Sequence, residues 1–263
     1  MISLLVVSTA SLITAGLTLY SGFGLGTLLM PVFALFFPVE MAVAATAVVH
    51  GAHSMFKMAA VGRHADRALV LRFGIPAIIA AFAGAAALGF VAHFGELARY
   101  SLGPRTAIVT PIKLVMAALM LVFALFELLP RLRDLKFDRR HLVLGGLLSG
   151  FFGGFSGHQG ALRSAFLVKT GISTEAFVGT SAAIGFLVDM ARIATYAVVF
   201  LAAKTAAPTG PDQWPLILGA TLSAFAGVMI AKRYLHKITM KTVQTLTGIL
   251  LFGIALALGS GIV

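Results

Sequence analysis

Long apolar runs, interrupted by glycine, proline and short basic clusters, divide the chain. Residues 3–20 are apolar with scattered Ser and Thr. Ser21-Gly22-Phe23-Gly24-Leu25-Gly26 follows, then a second apolar run over 27–37, interrupted by Pro31 and closed by Pro38. One membrane span needs roughly 20 residues, and this stretch is far longer. The pattern therefore predicts a broken or re-entrant hairpin, with two ordinary helices joined by a Gly-rich turn as the alternative. Helices are predicted next over 40–58, 69–91 and 108–129, with short loops between them. Residues 130–140 carry five basic and two acidic side chains and read as a linker. The apolar segment 141–168 holds Gly153, Gly154, Gly157 and Gly160. Each glycine costs about 1 kcal/mol against alanine inside a helix, so a break is predicted there. Helices over 174–202, 214–232 and 239–258 complete the chain.

The second half repeats the first. Gly26 and Thr46 are spaced like Gly160 and Thr180, and Gly22-Phe23 is matched by Gly154-Phe155. Ala81-Phe82-Ala83-Gly84 recurs letter for letter as Ala224-Phe225-Ala226-Gly227. Several matches in the same order indicate an internal duplication. The expected organisation is a first transmembrane repeat (1–130), a basic cytoplasmic linker (131–140) and a second transmembrane repeat (141–263).

Composition fixes the class. The chain is 59% hydrophobic and 11% charged, with a mean hydropathy of +1.00, whereas soluble domains carry about 25% charged residues. The net charge of +11 is read as basic flanks of membrane spans on the cytoplasmic side, not as a nucleic-acid surface. There is no cysteine, which excludes a thiolate metal site. No Lys or Arg precedes the first apolar run, so the start of the chain reads as a retained membrane segment. If each broken segment crossed once, Lys and Arg outside the spans would divide 10 to 8 between the two sides; if each entered and returned, they would divide 14 to 4. The positive-inside rule favours the second arrangement. Each half then makes three crossings plus a hairpin, and an odd number inverts the second half. The expected fold is an all-α polytopic membrane protein of two inverted-topology repeats, each with a glycine-broken re-entrant hairpin plus three transmembrane helices, both termini outside.

Inverted repeats with broken segments place a site where the breaks meet, near the midplane. One break offers Gly22, Phe23, Gly24, Leu25 and Gly26; the other offers Ser156, Gly157, His158, Gln159 and Gly160. Half-helices starting at Thr27 and Ala161 would point positive dipole ends inward. Arg163 lies in the first turn of the second half-helix, where its guanidinium can hold an oxyanion through two parallel hydrogen bonds. Ser156, His158, Gln159 and Arg192 are further expected binding groups. The helix after each hairpin should also line the site. His50, His53, Ser54 and Lys57 share one face of the first, and Ser181, Gly185, Asp189 and Arg192 share a stripe of the second. Asp189 and Arg192 are spaced for an ion pair. His50, His53 or His158 could carry a coupling proton, since histidine titrates near neutrality.

At these residues the chain resembles the TauE/SafE family of sulfite and organosulfonate exporters. The resemblance rests on Ser21-Gly22-Phe23-Gly24-Leu25-Gly26-Thr27-Leu28-Leu29-Met30-Pro31 and its second copy over 153–167, and extends over nearly the whole chain as a duplicated pattern. The second copy departs from the family pattern: Gly157-His158-Gln159-Gly160 stands where a glycine run is usual, and Ser164 or Ala165 where proline is usual. The resemblance implies export of a sulfur oxyanion or sulfonate from the cytoplasm. The expected function is a secondary transporter of a small anion, by alternating access, in a bacterial inner membrane. A passive anion channel is the alternative, and an intramembrane enzyme using His158 with Asp189 the remoter one. The expected partners are the small anion, the bilayer and a coupling proton, with a homodimer left open. Neither a cofactor, a metal nor a nucleic acid is expected.

Overall fold

The computed structural model describes residues 1–18, 24–103, 105–202, 213–234 and 240–263. Ser21, Gly22 and Phe23, expected in the first break, lie outside the described residues. In chain order the elements are α1 (Ile2–Leu17), α2 (Leu25–Ala34), α3 (Val39–Val61), α4 (Arg67–Ala92), β1 (Ala98–Leu102), β2 (Arg105–Val109), α5 (Pro111–Leu128), the single turn α6 (Pro130–Arg133), α7 (Leu142–Ser156), α8 (Gly160–Leu167), α9 (Thr174–Ala202), α10 (Trp214–Tyr234) and α11 (Met240–Gly259).

Among the described residues the fold is helical, as expected, except for one antiparallel hairpin, in which Ala98 pairs with Val109 and Leu102 with Arg105. The predicted helix over 108–129 therefore starts later. Thr106, Ile108 and Val109 are β-branched and suit a strand. Pro111, with no N–H to lose and its φ preset, opens α5 instead, and Thr110 caps it by accepting from the Lys113 backbone N–H. The hairpin is held against the end of α11 by Ile108 N–H donating to Gly261 O at 2.9 Å and by the Tyr100 hydroxyl donating to Ser260 O.

Four described helices are long and apolar enough to cross a bilayer: Arg67–Ala92, Pro111–Leu128, Thr174–Val199 and Trp214–Ala231. By contrast α2 has 10 residues and α8 has 8. At 1.5 Å per residue they reach about 15 and 12 Å, against a hydrocarbon core of about 30 Å. Each follows a glycine in the left-handed region, Gly24 at φ 114° and Gly157 at φ 81°, a conformation that side chains resist. Gly153 and Gly154, expected in the second break, stay inside α7, and the break falls at 157–159. Beyond it the chain doubles back. Phe137 N–H donates to Ala165 O at 3.1 Å, and Phe166 lies on Gly145, near the start of α7.

Packing explains the glycines that remain helical. Gly146, Gly150 and Gly154 of α7 recur every four residues and face the α4 backbone. A Cβ on them would stand 2.4 Å from Phe73 O, 2.0 Å from Ala77 O and 2.1 Å from Ala81 O. Close backbone approach of this kind is how membrane helices associate when burial of apolar surface gives no net drive. The opposite side of α4 is reversed from a soluble helix: Leu71, Ile75, Ile79 and Phe82 are exposed while Ala77, Ala80, Ala81 and Ala85 are buried. The repeated tetrapeptide does the same work twice. Gly84 lets α4 reach Phe151 O of α7, and Gly227 lets α10 reach Leu12 O of α1. The helix pairs follow suit: α1 packs on α10 and α7 on α4, while α3 packs on α9 and α5 on α11. Exchanging each helix for its counterpart in the other half turns the first pair into the second and leaves the last two unchanged.

Candidate functional site

The two breaks touch. A Cβ on Gly26 would lie 3.2 Å from Gly157 O and 3.4 Å from the His50 ring. Around this junction α3, α8 and α9 bring polar side chains into the protein interior. His50, His53, Ser54 and Lys57 recur at helical spacing on α3 and are all buried. Gly51 lets α3 settle on α9 beside Asp189, and Gly185 gives the Arg163 guanidinium a floor on α9, with Ser54 Oγ close by.

One carboxylate organises the cluster. Asp189 Oδ2 lies 2.6 Å from His50 Nδ1. Asp189 Oδ1 accepts from Arg192 Nε at 2.9 Å and from Gln159 Nε2 at 3.0 Å, and Arg192 Nη2 lies 2.7 Å from the same oxygen. Gln159 in turn accepts from Arg163 Nη1 at 3.1 Å through Oε1. Arg192 Nη1 donates to Gly153 O at 3.2 Å, and the Tyr196 hydroxyl donates to Gly154 O, so the carbonyls at the end of α7 are held from α9. Ser149 Oγ fixes the other side of the break by donating to Gln159 O at 2.9 Å.

Beside this network lies a cavity of about 10 Å³ lined by His50, His53, Ser54 and Lys57 of α3, Arg163 of α8, Ser181 of α9 and Thr18 at the end of α1. That is about the space of one water, so a larger guest requires the helices to part. Lys57 Nζ donates to Thr18 O at 3.0 Å. His53 Nε2 and Ser181 Oγ are buried with no hydrogen-bond partner, a state a polar guest would relieve. Lys57, Arg163 and Arg192 set three basic side chains against the one carboxylate of Asp189, all buried. Buried charge of one sign without a counter-charge is costly, and a bound anion is the natural complement.

Arg163 and the face His50, His53, Ser54 and Lys57, expected on separate grounds, thus share one cavity, while Gln159 and Asp189 stand directly behind it. Ser181, named for its place on the α9 stripe, lines it too. Gly24 and Gly26 shape the first break, and Gly157 the second. Arg192 supports the site through Asp189 and Gly157 without lining the cavity. Ser156 and His158 are turned away. Ser156 Oγ donates to Phe152 O at 3.0 Å, and the His158 ring stacks on Phe123 of α5 with centroids 4.9 Å apart. Thr18 was not anticipated. It contributes a backbone carbonyl, which carries no signal in side-chain pattern.

A family model described as sulfite exporter TauE/SafE matches residues 7–258, from within α1 to near the end of α11. The chain belongs to the sulfite exporter TauE/SafE family. The match covers both halves and both breaks, so the TauE/SafE assignment rests on the whole architecture and not on one motif. It makes the protein a multi-pass membrane transport protein of the sulfite-exporter type, in a family of transporters and not of enzymes. No curated protein matches the chain.

Proposed function

We propose that the protein is a secondary transporter that exports a small sulfur oxyanion, sulfite or an organosulfonate, across the inner membrane of a bacterium. The buried cavity between α3, α8 and α9 carries this reading: Lys57 and Arg163 line it, Arg192 stands behind them with Asp189 as the one carboxylate of the cluster, and His53 and Ser181 offer unpartnered polar atoms. Arg163 holds the anion by its fork, Lys57 supplies a second positive charge, and His53, Ser54 and Ser181 hydrogen-bond the remaining oxygens. Gln159, Asp189 and Arg192 keep the Arg163 guanidinium in place. His50 and His53 are within reach of the anion to carry a coupling proton.

The two halves act as inverted repeats with re-entrant hairpins that meet at Gly26 and Gly157, and alternating access rocks one half against the other. Support for this comes from the exchange of helix pairs between the halves, from the short α2 and α8, and from the return of α8 towards the linker. With the basic linker inside, both termini face outside. A cysteine placed at position 135 then labels from the cytoplasmic side only; labelling from outside would overturn the topology.

Counterflow tests the transport step. Proteoliposomes preloaded with unlabelled sulfite should transiently accumulate radiolabelled sulfite above the external level. Flux without overshoot would indicate a channel instead.

A further inference from the structure

A second, larger cavity lies on the linker side of α8 and is not part of the anion site. Its volume is about 490 Å³. Its walls are mostly aromatic and aliphatic, and at its rim stand Arg133, Asp134 and Lys136. The Asp134 side chain is 73% exposed, so the cavity opens to the water that bathes the linker. One helix separates it from the buried site: Ser164 of α8 faces this cavity, and Arg163, the residue before it, lines the other.

Glu127, on the last turn of α5, lies in the wall of this cavity and is 2% exposed. Its Oε2 has no hydrogen-bond partner, and Ser164 Oγ is likewise buried and unpartnered. The charged and polar groups facing Glu127 are few. Gln244 of α11 hydrogen-bonds its carboxyl, and Arg133 is near enough to act on it by charge. Arg133 Nε itself lies 3.8 Å from Asp134 Oδ1, so its charge is shared. Lys136 stands further along the rim, and Ser164 is the polar group offered by α8. A buried carboxyl with an open oxygen on a wetted cavity can exchange its proton without unfolding anything around it. Two negative charges in one low-dielectric space repel strongly, so an anion in the cavity and an ionised Glu127 exclude one another.

We propose that Glu127 is a proton-exchanging carboxyl of the linker-side cavity, taking up a proton from the linker-side water when an anion occupies the cavity and returning it when the anion leaves. The proton balance is that of a single carboxylate becoming a carboxylic acid and back. The inference rests on the reading of the protein as an anion transporter, but not on the roles given to the histidines.

The test is infrared spectroscopy of the purified protein in liposomes, with methanesulfonate as the probe. This anion stays ionised throughout the range in which carboxyl groups titrate, so it contributes no proton of its own. The wild type should show a protonated-carboxyl band that titrates with pH. That band should be missing from Glu127→Gln and present in Glu127→Asp. At a fixed pH well above its midpoint, where little of the band is present, saturating methanesulfonate should increase the band severalfold. A band that persists in Glu127→Gln overturns the proposal. Thermal unfolding of the same samples separates the two ways the anion arm can fail. Stabilisation by methanesulfonate with an unchanged band sinks the Glu127 linkage alone. No stabilisation by methanesulfonate or sulfite sinks the anion reading and the linkage with it.

Discussion

Replacing Arg163 with Gln is expected to weaken anion binding by about 30-fold or more while leaving the protein folded. Truncating one member of a buried, hydrogen-bonded charge pair typically costs about 2–5 kcal/mol of binding, and 1.4 kcal/mol is a factor of ten. Arg163 is 1% exposed and lines the cavity between α3, α8 and α9, so water cannot easily replace its guanidinium. The fold should tolerate the change, because the guanidinium bonds a neutral partner, Gln159 Oε1, and a glutamine amide can donate in its place. Removing a cation also relieves the crowding of positive charge with Lys57 and Arg192. Sulfite titrated against thermal unfolding would read both effects, with the unliganded midpoint close to wild type and the ligand-induced rise lost. Arg163→Lys should fall between the two, since it keeps the charge but not the fork. Undiminished stabilisation of Arg163→Gln by sulfite would remove Arg163 from the site.

Asp189→Ala is expected to have the largest effect on stability, about 3–5 kcal/mol, because breaking a buried ion pair strands its partners. Asp189 is completely buried and receives His50, Arg192 and Gln159 together. Without it Arg192 keeps its bond to the Gly153 carbonyl but loses its counter-charge, and Gln159 loses the contact that orients it under Arg163. Unfolding should occur well below the wild-type temperature, with poor recovery of monodisperse protein. The double replacement Asp189→Asn with Arg192→Gln removes both charges and should recover much of the loss, by the non-additivity expected of contacting residues. Equal damage from the single and double changes would show that the ion pair itself is not what Asp189 supplies.

Much of this was legible in the order of residues. Long apolar runs set the helical membrane class, because a backbone in lipid must satisfy its own hydrogen bonds. The recurrence of one tetrapeptide was readable as repeated letters, and the structure gives it a reason in Gly84 and Gly227, which admit a neighbouring backbone. The α3 stripe was readable as spacing, and its four members do share a cavity. Other features escaped. Glycines read as breakers at 153 and 154 are packing glycines: the α4 backbone takes the space at Gly154, and the Gln159 and Val188 side chains take it at Gly153. The spacing of Gly146, Gly150 and Gly154 carried that message, and the break itself needed only Gly157. The hairpin at 98–109 was hidden because its alternation is short and half polar.

The order of residues settled what each segment could be: apolar enough for lipid, broken at two glycine-rich places, basic at the linker, polar at a few interior positions. Periodicity and composition are local properties, and one chain displays them before it folds. Which of those polar positions meet was left to the packing of the folded chain. Arg163 and His158 lie five residues apart on the same broken segment, yet one faces α3 and α9 while the other stacks on Phe123 of α5. Lys57 and Arg163, more than a hundred residues apart, converge on one cavity. That choice depends on how α8 is rotated and on which backbones its neighbours can approach, and no local pattern records a rotation set by distant contacts.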